Sequence, residues 1–412
     1  MLEKVTGGLQ AIRLRWVFSC LGIWAALGAT ACDQGDSGSG YPSVRDSSGV
    51  RIVESSAPVW SRGDAWTVSP SPVLRIGNTI GDEQAQLYRV GDVTRLSDGR
   101  ILVANSGANE IGVYSPTGDF IRAIGREGPG PGEFTDPRRL WVLPGDTLVV
   151  ADWTRISVFD STGQFLRSDI FGPWPIWDRF PDGSFLRLVI PPGKDPFLPG
   201  YFHPDYAVVR ARADESEADT LAFVAGDEMY RWSSASGGIA SFRSPFGRTR
   251  TAVAHGDSIF TGDGSAFEIQ DLDENGGLVR IIRRSAEPEP VTDSAIQAFE
   301  AAILERTERE DLRRERNRMF SEWTYPPFQP SYDRLLLDGL GNLWVRHYSV
   351  APGPRVEWTV FNSDGRWLGV IPMPGGMTVK EIGSDYVLGV WTGEFGVEYV
   401  NLYALNKPGG GP

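Results

Sequence analysis

The chain has 412 residues, 41% hydrophobic and 11% aromatic, enough to bury a core in roughly two or three domains or in one large all-β domain. A formal net charge of −13 argues against a surface that neutralises nucleic-acid phosphates, so no nucleic-acid partner is expected. Two cysteines and three histidines exclude a disulfide scaffold and a Cys-rich zinc module, while 49 glycines and 29 prolines indicate many tight turns.

The N-terminus has the layout of a bacterial export signal. Lys4, Arg13 and Arg15 precede an uncharged apolar run over 16–29, which is short for a membrane span. The sequence Ala-Thr-Ala before Cys32 resembles a lipoprotein box, and Cys32 is the only cysteine that would remain after removal of 1–31. We therefore expect a signal peptide over 1–31, acylation of Cys32 and a flexible tether over 32–60. Plain secretion with a chance cysteine is the alternative.

The expected location follows from this reading. The protein would be exported and held at the cell envelope. The lipid on Cys32 would anchor it to a membrane that faces the periplasm or the exterior.

An internal repeat dominates the rest of the chain. Residues 96–122 match residues 143–167 at an offset of 45 to 47 residues, each copy containing a turn, a β-rich run, a second run, a Gly turn and a third run. Weaker copies begin near Phe180, Ala254, Leu337 and Ile382, which makes six units. This period with four strands per unit is typical of propeller blades.

We therefore predict an all-β fold, a six-bladed β-propeller over 61–407. The last unit contains only three strands, and residues 66–76 form an unassigned strand before the first unit. If that N-terminal strand pairs with the final blade as its fourth strand, the ring is closed and no exposed sheet edge remains there.

The second unit carries a family resemblance. A glycine-rich segment over 125–134 leads to Pro137, a Val-Ala-Asp strand end over 150–152 and a Val-Phe-Asp strand over 158–160. This pattern resembles NHL repeats, and the whole chain resembles the six-bladed propeller lipoproteins and exported proteins of bacteria. The resemblance implies a scaffold for binding in most cases. In a minority, the gluconolactonase-like and amidating-lyase-like enzymes, it implies metal-dependent chemistry in the central channel.

A charged, glycine-free segment over 291–321 interrupts the repeat between the fourth and fifth units. Thr292 or Asp293 serves as a helix cap, and Ile296, Phe299 and Ile303 share one helical face. We predict a helical insertion, which is either a lid or docking arm over one mouth of the ring or a passive addition packed on the blades.

Cations begin the innermost strand of each unit, and these strands surround the channel of a propeller. We expect a ring at the channel mouth suited to a carboxylate, phosphate or sugar acid, or to an acidic peptide. The alternative is internal ion pairing, for example between Arg89 and Asp92. The predicted ligand-binding residues are Arg89, Arg138, Arg139, Arg179, Arg250 and Arg334.

Metal sites have weaker signals. Asp271, Asp273 and Asn275 fit the first half of a calcium loop, but the closing carboxylate is missing and the stretch coincides with a hairpin turn of the repeat. His203, His255 and His347 lie in three units and would have to converge to form a metal centre. We expect no cofactor, with calcium as the alternative.

The function favoured by the sequence is non-enzymatic: a cell-envelope binding module that takes a small anionic ligand or a protein partner at the channel mouth. A metal-dependent lactonase-like or lyase-like hydrolytic enzyme is the alternative, and an assembly scaffold acting through blade edges is a third reading.

Overall fold

Short runs of β-branched and aromatic residues, separated by turns, pair into antiparallel sheets along almost the whole chain. The computed structural model describes residues 42–408 except 62, 78–85, 154, 171–175, 192, 194–198, 213–217, 234–237, 351–352 and 394–395. The predicted signal peptide, the Cys32 acylation site and the first part of the predicted tether lie outside the described residues. Four strands precede the first complete sheet: β1 (Ser43–Ser47), β2 (Val50–Ser55), β3 (Thr67–Val68) and β4 (Leu74–Ile76).

Six sheets of the predicted kind follow, which confirms the six-bladed β-propeller. Blade 1 contains β5 (Val90–Arg95), β6 (Ile101–Asn105), β7 (Glu110–Tyr114) and β8 (Phe120–Ile124). Blade 2 contains β9 (Arg139–Leu143), β10 (Thr147–Ala151), β11 (Arg155–Phe159) and β12 (Phe165–Ile170). Blade 3 begins with β13 (Ile176–Arg179) and β14 (Phe185–Val189), and after β15 (Gly200–Phe202) it ends with β16 (Asp205–Ala211) and β17 (Ala218–Ala225).

An additional small sheet is formed by strands inserted in the chain within and after blade 3. It joins β15 to β18 (Met229–Ser233) and β19 (Ile239–Arg243), and the repeat gave no sign of it. Blade 4 then contains β20 (Thr251–His255), β21 (Ser258–Gly262), β22 (Glu268–Leu272) and β23 (Leu278–Arg284).

Two helices lie between blades 4 and 5, where the insertion was predicted. Helix α1 (Asp293–Glu305) is capped by Thr292, whose side chain accepts the Ala295 N–H at 3.2 Å. Helix α2 (Glu310–Glu322) follows a break at Thr307, whose hydroxyl donates to the Ile303 carbonyl. The insertion is thus a hairpin of two helices. Among the described residues, neither helix is long and apolar enough to cross a membrane.

The last two blades complete the ring. Blade 5 contains β24 (Tyr332–Leu337), β25 (Leu343–His347), β26 (Arg355–Phe361) and β27 (Trp367–Pro374). Blade 6 contains β28 (Met377–Ile382), β29 (Tyr386–Thr392) and β30 (Glu398–Asn406). Strands β3 and β4 pair antiparallel with β30, as the sequence predicted, so the N-terminal strand closes the final blade.

The N-terminal hairpin of β1 and β2 corrects one prediction. Strand β2 pairs parallel with β23, with Arg51 opposite Arg280 and Ser55 opposite Arg284, and β1 pairs with β2. Blade 4 is therefore extended to six strands. The expectation of a flexible tether is wrong for residues 43–55, because β2 pairs with the outer edge of blade 4 and buries Ile52 and Val53.

The core is divided among the junctions between neighbouring blades. Ile76 and Leu388 pack in the cluster between blades 6 and 1, and Trp344 and Trp358, each 1% exposed or less, pack between blades 5 and 6. Similar clusters occupy the other four junctions. Apolar burial therefore fixes each blade against the next and holds the inner strands around a common axis.

Candidate functional site

The inner strands β5, β9, β13, β20, β24 and β28 surround a central cavity of about 650 Å³. Each is the edge strand of its blade, so the backbone N–H and C=O groups that face the channel have no ladder partner on that side. Where water does not reach these backbone groups, other polar groups of the protein must form hydrogen bonds with them.

Three carboxylates of the inner strands supply such partners, and each reaches into the following blade. These contacts, which we call interblade latches, join blade 1 to blade 2, blade 3 to blade 4 and blade 6 to blade 1. The acceptor and donor pairs are Asp92 with the Leu140 N–H at 3.1 Å, Asp178 with the Ala254 N–H at 2.9 Å, and Glu381 with the Arg95 N–H at 3.1 Å.

Four of the inner strands have a β-bulge where they enter the channel. A bulge adds a residue to one strand and redirects the side chains beside it. The register shifts lie between Val90 and Val93, between Ile176 and Asp178, between Tyr332 and Arg334, and between Val379 and Glu381. The latch residues and two of the channel cations thus lie at or beside a bulge.

Three cations from different blades share the channel with Asp92. Burial lowers the pKa of Arg334 to about 10, with the nearby Arg346 and Arg139 cations acting in the same direction and Asp92 opposing them. Burial also lowers the pKa of Lys380, where Asp92 again opposes the shift and Arg334 and Arg139 add to it. Arg334 stays protonated at neutral pH, in surroundings that disfavour its charge.

The acids around these cations are already engaged. Asp333 accepts two hydrogen bonds from Arg346, at 2.6 and 2.8 Å. Asp92 accepts the backbone N–H of Val93 in addition to its latch. Within the described part of the chain, the Arg334 guanidinium makes neither a hydrogen bond nor an ion pair.

The other two cations are held by backbone oxygens. Arg139 donates to the Trp177 carbonyl and Lys380 donates to the Gly91 carbonyl. These contacts fix the positions of the two side chains without neutralising their charge. We call Arg139, Arg334 and Lys380 the channel cations.

The structure brings together four of the six arginines predicted for the ring, namely Arg139, Arg179, Arg250 and Arg334. Arg250 already has a protein partner, since its Nε donates to the Ala225 carbonyl at 2.6 Å. Burial lowers the pKa of Arg179 and also that of Arg250.

The remaining two, Arg89 and Arg138, do not border the central cavity. Both pair with Asp136, at 3.3 and 2.5 Å, and line a separate small cavity. The pairing of Arg89 with Asp92 that the sequence suggested is wrong. Arg89 has a φ of 54° and precedes the bulge of β5, and its guanidinium pairs with Asp136 instead.

The acidic stretch after β22 forms a hairpin turn. The Asp273 side chain accepts the N–H groups of Asn275 and Gly277, at 2.9 and 2.8 Å. Asp160 and Asn362 make the same pair of contacts in the corresponding turns of blades 2 and 5. Asp271 lies in β22 and pairs with Arg280 at 2.8 Å. Strand pairing and turn formation therefore account for both aspartates.

The three histidines do not meet. His255 borders the central cavity, His347 borders a second cavity, and His203 contacts the Gly226 carbonyl. Burial lowers the pKa of His347 to about 4, so the ring is neutral at pH 7 and its contact with Glu357 at 3.3 Å is not an ion pair. No three His, Cys, Asp or Glu side chains of the described chain are grouped to hold a metal ion.

The predicted ligand residues do not include Lys380 or Asp92, which also border the central cavity. Lys380 lies in β28 and Asp92 in β5, the inner strands of blades 6 and 1. Their place on the inner strands, which they share with Arg139 and Arg334, was the available signal.

Comparison with known proteins agrees with the fold. A family model described as a 6-bladed beta-propeller (DUF5128) matches residues 83–171, in blades 1 and 2. The search of curated proteins finds no match.

Several solved structures are similar at low identity. A protein from Bacteroides fragilis described as exported is 12% identical, with 86% of this chain and 99% of that chain covered and a TM-score of 0.47. A member of the DUF4221 family from Bacteroides vulgatus is 11% identical, with 84% and 100% covered and a TM-score of 0.49. Virginiamycin B lyase from Staphylococcus aureus is 9% identical, with 83% and 100% covered and a TM-score of 0.41.

Proposed function

We propose that this protein is a binding module whose central channel takes a small molecule with an anionic group, without catalysing a reaction on it. The observation that carries the proposal is the Arg334 guanidinium, which is partly buried in the channel and, in the described chain, makes neither a hydrogen bond nor an ion pair. Arg139 and Lys380 add positive charge beside it, and Asp92 offsets part of this charge.

The energetic argument rests on desolvation. Removing a cation from water is unfavourable, and folding has already imposed part of that cost on the partly buried Arg334. An anion that enters the channel gains charge-assisted hydrogen bonds, each contributing about 1.5–3 kcal/mol. The neighbouring carboxylates compete weakly for Arg334, since Asp333 is held by Arg346.

The size of the cavity limits the ligand. A volume of about 650 Å³ lies within the range of small-molecule sites, which is about 300–1,000 Å³. A carboxylate, a phosphate or a sugar acid fits both the volume and the planar donor arrangement of arginine.

Thermal unfolding with matched sugars tests the proposal. We expect glucuronate and inorganic phosphate to raise the Tm saturably at constant ionic strength, because ligand at a hundred times Kd stabilises a protein by about 2.7 kcal/mol. Glucose, which lacks the carboxylate, should leave the Tm unchanged. Equal shifts with glucose and glucuronate, or no shift with either anion, would contradict an anion site.

We also propose that the protein is exported and anchored at the cell envelope through a lipid on Cys32. The support is the sequence alone: the basic start, the apolar run over 16–29 and the small residues before Cys32. Acylation would hold the ring at a membrane surface and leave its channel open to soluble ligands.

A Cys32→Ser variant tests the anchor. Labelled palmitate should be incorporated into the full-length protein and not into the variant, since a hydroxyl does not form the thioether to the lipid. The wild-type protein should enter the detergent phase on phase separation and the variant the aqueous phase. Equal labelling of the two proteins would rule out Cys32 as the modified residue.

A further inference from the structure

A further cavity, of about 450 Å³ and distinct from those that Arg89 and His347 border, lies between the helical hairpin and the small sheet of β15, β18 and β19. Eight of its eleven lining residues are apolar or aromatic, and we call it the hairpin cavity. Among these eight are Trp232, Phe299, Ile303, Met319, Phe320 and Trp323.

The packing around this cavity is incomplete. Helix α1 buries none of its side chains fully, and α2 buries only Met319 and Phe320. The indole N–H groups of Trp232 and Trp323 are buried and lack a hydrogen-bond partner in the described part of the chain. A tightly packed helix-on-sheet interface would leave neither an apolar space of this size nor two unpaired donors.

The charges at the rim cancel. Arg243 is paired with Asp227 at 2.9 Å, and the other two charged residues of the rim, Glu315 and Arg316, have opposite signs. An ionised ligand would lose its hydration on entry without gaining a net charge partner, which is strongly unfavourable. An uncharged ligand pays no such penalty and gains from the aromatic walls.

We propose that the hairpin cavity is a binding site for an uncharged, apolar small molecule, independent of the anion site in the channel. The wall chemistry, the volume and the neutral rim all favour this class of ligand. Leu312 stands at the rim with 37% of its surface exposed, so a ligand can enter beside it without unfolding the hairpin.

The uncharged fluorescent dye N-phenylnaphthylamine tests this site on the full folded chain. The dye should bind saturably and accept excitation energy from tryptophan, because Trp232 and Trp323 form the wall. Decanol should displace it at least about tenfold more effectively than decanoate or decylamine, since both ions carry a charge into an apolar site. Equal displacement by decanol and decanoate would overturn the proposal.

A Leu312→Arg variant locates the dye. We expect its dye affinity to fall about tenfold or more, with an unchanged Tm, because the side chain lies on the exposed helix surface. Leu340→Arg is the matched control: Leu340 is 63% exposed, lies in a turn of blade 5 and does not border the cavity. Arg334→Met should also retain dye binding, which separates this site from the channel. Undiminished dye binding by Leu312→Arg, or equal loss in both leucine variants, would refute the assignment.

Discussion

An Arg334→Met variant is expected to bind channel anions at least about tenfold more weakly, while its ligand-free form is as stable as the wild type or about 1–3 kcal/mol more stable. The affinity falls and the stability rises for the same reason, which is that the variant lacks the positive charge of Arg334. Arg334 is charged in surroundings that lower its pKa to about 10, Asp92 and Asp333 offset this only in part, and no described residue forms a hydrogen bond or ion pair with it. Methionine fills a similar volume without that cost.

Urea unfolding of the ligand-free proteins measures the stability, and calorimetric titration with glucuronate measures the affinity. Arg334→Lys retains the charge and should keep most of the affinity, although it loses the planar donor pair. Arg45→Met is the matched surface control, since Arg45 is exposed on β1, at the outer edge of blade 4. A variant Arg334→Met that is markedly less stable yet binds glucuronate normally would assign Arg334 a structural role only.

The fold was predictable because the repeat recurs six times. Gly118 and Gly163 occupy the same turn of successive blades with φ values of 92° and 76°, a conformation that favours glycine. The spacing of such turns gave the number of blades, and the count of strands predicted that β3 and β4 would complete blade 6. Where one unit departs from the pattern, the other five still show the positions of the strands and turns.

The departures from the repeat could not be predicted in the same way. The parallel pairing of β2 with β23 joins residues more than two hundred positions apart, and no local pattern specifies which blade edge a strand selects. The sheet of β15, β18 and β19 occurs once, so there was no second copy with which to compare it.

The positive charge of the candidate site was predictable from the sequence, but the arrangement of its side chains was less so. The sequence placed cations at the entry of each inner strand, and four of the six predicted arginines border the channel. Which of them face one another depends on the four bulges, where a shift of one residue redirects a side chain. Arg334 lies beside such a bulge in β24 and borders the channel, whereas Arg89 precedes the bulge of β5 and pairs with Asp136.

The interblade latches were not predicted, and their loss should have the largest effect on stability. We expect Asp178→Ala to lower the free energy of unfolding by about 2–4 kcal/mol. The Asp178 carboxylate accepts the backbone N–H groups of Ala254 and Arg179, both at 2.9 Å, and the Trp141 indole is 3.4 Å away. Alanine would leave these buried donors without an acceptor at the junction of blades 3 and 4.

Urea unfolding at two pH values distinguishes a latch from a general packing role. Burial raises the pKa of Asp178 above its ordinary value of 3.8, so the folded wild type binds a proton more readily than the unfolded chain. The wild type therefore loses stability as the pH rises through that raised pKa. The cost of Asp178→Ala should accordingly be larger at pH 4 than at pH 8, since the raised pKa lies above 3.8.

The control for the latch is Asp219→Ala, since Asp219 is exposed on β17 in the same blade. It should change the free energy of unfolding by less than about 0.5 kcal/mol. Asp178→Asn should fall between the two, because the amide keeps one acceptor oxygen and turns its NH₂ group towards a donor. If Asp178→Ala were no less stable than Asp219→Ala, the hydrogen bond between blades 3 and 4 would contribute nothing, and apolar packing alone would hold the inner strands around the channel.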